Sequence, residues 1–146
     1  MPINVVFFDL GDTLVQSSGS WVAGAKSLLA DLRAGGLRLG IISNTGQLTR
    51  SQIVQLLPAD FNLAIFESEL VLFSSEVGVE KPGVGIFRTA VERAAIGAGQ
   101  CLFCTENLVD TLAAQSVGMM AARIHKPPAS DLPALVAALA QAGLLT

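Results

Sequence analysis

The chain has 146 residues, 51% hydrophobic and 14% charged, with a formal net charge of −3. That length suits one domain able to bury about two-thirds of its unfolded surface, and no apolar run reaches the ~18 residues of a membrane span. The acidic balance lacks a basic block, which argues against a nucleic-acid surface, and no basic region precedes an apolar block at the N-terminus, so a cytoplasmic, unexported protein is expected.

In chain order, "INVVFF" (residues 3–8) predicts a first strand. Ser20 is placed to cap a helix running to about Ala34, with Trp21, Ala25, Leu28, Leu29 and Leu32 on one face and Gly35-Gly36 as its stop. "LRLGII" (37–42) is the next strand, followed by a loop, "SNTGQ". Thr49 and Gln52 form a capping-box pattern that opens a short helix, with Ile53, Leu56 and Leu57 turned inward and Pro58 ending it. "LVLF" (70–73) is a short strand, and a helix over 83–95 turns Ile86, Phe87, Ala90, Val91 and Ala94 to the core.

"CLFC" is a strand, 107–117 a helix and 119–124 a strand. "HKPPAS" (125–130) then links to a last helix over 131–142 that buries Leu132, Leu135, Val136 and Leu139. Cys101 and Cys104, three positions apart on a strand, point to opposite faces and read as small buried hydrophobes in a reducing compartment.

Near-continuous apolar strands alternating with helices predict an α/β fold: a doubly wound five-stranded parallel sheet with helices on both faces. The whole chain, 1–146, reads as one such domain. In such sheets ligands bind beyond the carboxyl ends of the strands. The residues there are Asp9, Ser43 with Asn44, Ser74 to Lys81, and Thr105 with Glu106. Carboxylates, hydroxyls and one lysine aimed at one edge suit a phosphate monoester. A carboxylate can attack phosphorus, a hydroxyl and an ammonium can hold the non-bridging oxygens, and paired acids can hold Mg²⁺.

With these residues in place the chain resembles the haloacid dehalogenase superfamily, whose four motifs recur here in order. "FFDLGDTL" matches the strand ending Asp-x-Asp-x-Thr, and Ser43 in "LGIISNTG" matches the hydroxyl that closes the next strand. Lys81 in "SSEVGVEKPGVGIF" matches the lysine before a helix, and "LFCTENLVDTLAAQSVGM" matches the strand followed by acids. The resemblance implies a Rossmann-like, HAD-like fold and a phosphate-monoester hydrolase. Asp9 would be the nucleophile and a magnesium ligand, Ser43 and Asn44 would bind phosphate, and Lys81 would neutralise phosphate charge and orient Asp9. The carbonyl of Gly11, with Glu106 and Asp110, would complete the Mg²⁺ site.

Two departures stand out. Gly11 occupies the position of the family's second aspartate, which protonates the leaving oxygen and then activates water, so slow turnover is expected. Asp12, one residue on, is the candidate substitute. Thr105 stands where the family's first fourth-motif acid stands, with Glu106 next to it. One helix fills the chain between Leu14 and Ser43, and a helix and a strand fill that between Ser43 and Lys81, which leaves no room for a cap domain. The family's capless members act on large phosphorylated substrates or borrow a neighbouring subunit, so a homo-oligomer is expected.

The alternative is a non-catalytic HAD-like protein that acts by binding a phosphate ligand or a partner. A dehalogenase and a receiver-type phosphoacceptor rank below it. The first lacks a cap here, and the second carries its acceptor after the third strand. Read singly, Asp9 could make an Asx turn, Lys81 could be a solvated lysine before a proline, and Glu106, Asn107 and Asp110 could cap a helix.

Overall fold

The computed structural model describes residues 2–127 and 131–145. Strands form where the apolar runs lie: β1 (Val5–Phe8), β2 (Arg38–Ser43), β3 (Val71–Phe73), β4 (Cys101–Thr105) and β5 (Met120–Arg123). Every residue of β1, β3 and β4 is buried, as strands covered on both faces must be. All neighbours pair in parallel, in the order β3-β2-β1-β4-β5. The expected doubly wound five-stranded parallel sheet is therefore the observed one. β5, at the edge, is partly exposed along its length.

The helices are α1 (Ala25–Ala34), α2 (Arg50–Leu56), the single turn α3 (Ser74–Val77), α4 (Val84–Ala94), α5 (Leu108–Ser116) and α6 (Leu132–Gln141). Side chains alternate between the faces of a strand, so the sheet has two cores. Leu28, Leu29 and Val136 of α1 and α6 meet Val6, Phe8 and Ile41 on one face. Ile86, Phe87 and Ala114 of α4 and α5 meet Val5, Phe7 and Phe103 on the other. Gly40 is needed in mid-strand because a Cβ there would lie 2.5 Å from the ring of its neighbour Phe7.

Local reading misplaced several boundaries. Ser20 does not cap α1. Residues 15–21 are drawn into a small hairpin, in which Val15 bridges Trp21 and Gln16 N–H donates to the Ser20 carbonyl at 2.8 Å. Gly24, at φ 81°, then resets the chain so that the helix begins at Ala25. Trp21 is thus off the helix and stacks on Phe61 at 4.9 Å. β1 starts at Val5 because Ile3 bridges Leu145 instead. The Thr49–Gln52 capping box forms in full, and Ile53 is buried. Leu56, expected inward, is 61% exposed because it lines an open cavity rather than the core. Val91, Leu135 and Leu139 are only partly buried. Of the linking loop 125–130, residues 128–130 lie outside the described ones.

Cys101 and Cys104 do lie in opposite cores, both buried and unpaired. Burial pushes the Cys101 thiol up to about 11 and the Cys104 thiol up to about 12. The thiolate is the reactive form. The native protein is therefore expected to leave Ellman's reagent unreacted at pH 8, and to release its full two equivalents only after denaturation.

Candidate active site

The strand order reverses at β1: the chain runs outward through β2 to β3, then returns to place β4 on the other side of β1. The carboxyl ends of β1 and β4 therefore flank the crevice that this topology opens. Asp9 directly follows β1, and its N–H donates to the Cys104 carbonyl at 3.1 Å, carrying the β1–β4 pairing one residue further. Asp9 is 9% exposed. Its Oδ1 accepts the Leu10 N–H at 2.8 Å, which fixes the carboxylate plane. Its Oδ2 accepts from Thr105 Oγ1 at 3.2 Å and lies 3.1 Å from Lys81 Nζ.

Lys81 comes from the loop before α4, and its side chain is only 2% exposed. Asn44, just after β2, grips its main chain twice: the Lys81 N–H donates to Asn44 Oδ1 at 2.9 Å, and Asn44 Nδ2 donates to the Lys81 carbonyl at 2.8 Å. The ammonium also stands 3.6 Å from Asp110 Oδ2 and 5.3 Å from the centre of the Phe103 ring. Asp110 is in the first turn of α5, whose N-cap Asn107 accepts the Asp110 N–H at 3.0 Å. Thr105, in the place of an acid, works in both directions: it donates to Asp9 and accepts the Asn107 N–H at 3.2 Å.

Ser43 closes β2 and is buried. It shares a cavity of about 600 Å³ with Gly11, Asp12 and Asn44. Asp12 sits at φ 61°, a left-handed conformation that aspartate tolerates better than most residues, and its N–H donates to the Val15 carbonyl at 2.8 Å. Gly11 has no such constraint, and a Cβ built on it would meet nothing within 4 Å. Glu106 lines a neighbouring hollow of about 540 Å³ with His125 and Lys126. The fold thus puts Asp9, Lys81 and Asp110 in mutual reach and Gly11, Asp12, Ser43 and Asn44 on one cavity wall, with Glu106 on the next.

Sequence reading put Ser74 and Ser75 at the strand ends but left Thr45 as an ordinary loop residue. The Thr45 N–H donates to Ser74 Oγ at 2.8 Å, and its Oγ1 accepts the Ser75 N–H at 3.0 Å. These bonds tie the loop after β2 to the end of β3 and hold Ser43 and Asn44 between them. The available signal was a run of small hydroxyl residues directly after two apolar strands.

The electrostatics favour a cation. One ammonium faces Asp9 and Asp110. Burial holds the Asp110 carboxyl above the usual range, and Lys81 only partly offsets this. The Glu106 carboxyl is raised first by burial; Lys126 counteracts this, while Asp9, Asp12 and Asp110 push it further up. A dianionic phosphate placed here would meet a surplus of negative charge. Among the described residues no group of three or more His, Cys, Asp or Glu could hold an ion by itself. Mg²⁺ does not need one, since it binds through one or two carboxylates, waters and the substrate's phosphate. The residues fit an ion of that kind.

No protein-family model and no curated protein match this sequence. Solved structures match the fold. A HAD family hydrolase from Deinococcus radiodurans R1, with bound phosphate and sodium, gives a TM-score of 0.80 over 99% of this chain and 98% of its own, at 17% identity. A HAD family enzyme from Bacteroides thetaiotaomicron, as its magnesium complex, gives 0.76 over 93% and 99%, at 15% identity. The same enzyme with magnesium and inorganic phosphate gives 0.72 over 86% and 96%, at 15% identity. The fold is the one these HAD family structures have.

Proposed function

We propose that this protein is a haloacid dehalogenase-type hydrolase of phosphate monoesters. The observation that carries this reading is the buried Lys81–Asp9 contact of 3.1 Å at the carboxyl end of the central strand, with Ser43 closing the neighbouring strand. Asp9 attacks phosphorus and forms an aspartyl phosphate. Lys81 holds Asp9 in place and neutralises phosphoryl oxygens, and Ser43 donates to one of them. Asn44 fixes the loop that carries Lys81, and its second amide N–H is left for the phosphate. Asp9, the Gly11 carbonyl and Asp110 are the oxygens we assign to Mg²⁺, which would supply the missing positive charge; Glu106, on the next hollow, is left out of the set. With Gly11 in the acid's place, Asp12 is the remaining carboxylate on the cavity and activates water slowly.

We further read the protein as a single capless domain of the cytoplasm. The chain from Leu14 to Ser43 contains the hairpin and α1, and that from Ser43 to Lys81 contains α2, β3 and α3, interrupted only by short turns. A large phosphorylated substrate or a second copy of the chain would then complete the open site. Leu108, Val109 and Leu112 on α5 are half-exposed and suit contact between copies.

The test is an activated aryl phosphate with and without Mg²⁺, using wild type, Asp9→Asn and Asp12→Ala. Magnesium-dependent turnover is expected in wild type. Asp9→Asn should lower it by at least ~10³-fold, since it removes the nucleophile, and Asp12→Ala should slow it further than Gly11 already does. A second reading, binding without catalysis, is favoured by one observation: Gly11 and Thr105 replace two acids of the resembled motifs. That reading takes over should wild type and Asp9→Asn prove equally inert while both bind inorganic phosphate.

A further inference from the structure

We propose that the cavity beside Ser43 is a leaving-group subsite for an apolar aromatic body, so that the substrates are aryl phosphates, the monoesters of phenol-like hydroxyls. The proposal rests on the hydrolase reading above and narrows its substrate class. The first support is the shape and chemistry of the cavity. Its lining joins Gly11, Asp12, Ser43 and Asn44 to an apolar wall of Val15, Leu48, Ile53, Leu56 and Leu57 and to the uncharged polar side chains of Gln16, Ser17, Ser18, Thr45 and Gln55. Among the described residues no lysine, arginine or histidine lines it, and Asp12 is its only charged residue. A second phosphate or a carboxylate on the substrate would find no counter-charge there.

Leu48 and Leu56 remain 37% and 61% exposed. Burying large apolar side chains is a main source of stability, yet these two stand open on the wall of a cavity continuous with the phosphate-binding residues. The volume of about 600 Å³ lies within the usual range for small-molecule sites. One or two aromatic rings laid on this wall would cover both leucines.

The second support is independent of the wall. Position 11 holds no acid, and the space around it is empty within 4 Å of a Cβ. Nothing at that position can protonate a departing oxygen. A phenolic oxygen ionises near pH 10, as in tyrosine, and can leave as the anion, whereas an aliphatic alkoxide needs its proton delivered in the transition state. In the forward step an Asp9 oxygen–phosphorus bond forms and the phosphorus–aryl oxygen bond breaks. The aryloxide leaves with the electron pair and takes a proton from solvent. Water then adds to phosphorus, the bond to Asp9 breaks, and hydrogen phosphate departs, so that one water is consumed.

The experiment pairs turnover with binding. With Mg²⁺ present, kcat/KM for 2-naphthyl phosphate is expected to exceed that for glycerol 3-phosphate by about 10²-fold or more, with phosphotyrosine as the arm that presents the same chemistry on an amino acid. By calorimetry, 2-naphthylmethylphosphonate is expected to bind about tenfold tighter than methylphosphonate. The Leu48→Gln/Leu56→Gln double variant, altered only at exposed positions, should erase that preference and keep the affinity for inorganic phosphate. Equal affinity for the two phosphonates, or an unchanged preference in the double variant, overturns the subsite whatever the turnover. Hydrolysis of all esters at one rate likewise sinks the subsite but spares the hydrolase reading. A phosphonate preference with no ester hydrolysed supports the subsite and refutes the hydrolase reading.

Discussion

Gly11→Asp is expected to raise kcat for alkyl phosphates by about 10²–10⁴-fold, the usual worth of a positioned general acid–base. The backbone accepts the change: Gly11 is exposed, is absent from the positive-φ residues, and leaves open space where a Cβ would go. Its cost in stability should stay within about 0.5 kcal/mol, as for other exposed sites without strain. Gly11 shares the cavity with Ser43, so on the reading proposed above the new carboxylate stands on the leaving group's side. The gain should be much smaller for p-nitrophenyl phosphate, whose leaving group needs no proton. Steady-state kinetics on the two esters measures the difference. A variant that folds, binds phosphate and shows no gain on alkyl esters would mean that position 11 does not face the departing oxygen.

Lys81→Met is expected to have the largest effect on stability. The substitution keeps an unbranched apolar stem and deletes only the charge, so packing changes little. What it leaves behind is a buried Asp9 at 3.1 Å and a buried Asp110 at 3.6 Å from the lost ammonium. Removing one partner of a buried pair typically costs about 3–5 kcal/mol, a large share of the ~5–15 kcal/mol that holds a domain folded. The loss also depends on pH. Lys81 is what lowers the Asp110 carboxyl against burial and Asp9; without it that carboxyl rises further. A carboxyl raised in the folded state contributes stability below its unfolded pKa and loses it as pH rises through the folded value. The deficit against wild type should therefore be larger at pH 8 than at pH 5. Urea melts at the two pH values read it directly, and equal deficits would show that Lys81 does not balance these carboxylates. Phosphate hydrolysis should be lost at both.

Much of this architecture was legible because its signals are local. The period-two and continuous apolar runs mark five strands, the stripe of Ile86, Phe87, Ala90 and Ala94 marks α4, and Thr49 with Gln52 marks the start of α2. A parallel sheet then puts every strand's carboxyl end on one edge, so Asp9, Ser43 and Thr105 are traceable to a common rim from the strand pattern alone. Lys81 was found by its place among motifs, since a lysine before a proline has no signal of its own.

Other features depend on partners far along the chain, and periodicity carries no information about those. α1 begins at Ala25 because Trp21, read locally as helical, instead bridges Val15 and stacks on Phe61 from a distant segment. Thr45 became a structural hydroxyl only when Ser74 and Ser75 arrived beside it from β3 and α3. Leu56 has the spacing of a core residue and lines an open cavity instead, shared with the loop after β1. The sequence by itself determined the order of strands and helices and which residues reach the carboxyl edge of the sheet, since short-range sterics and hydrophobic spacing decide both. Tertiary structure alone decided the 3.1 Å pairing of Lys81 with Asp9, the double grip of Asn44 on Lys81, and the apolar wall beside Ser43. Each of these joins segments distant in the chain, and only packing of the whole sheet brings such segments together.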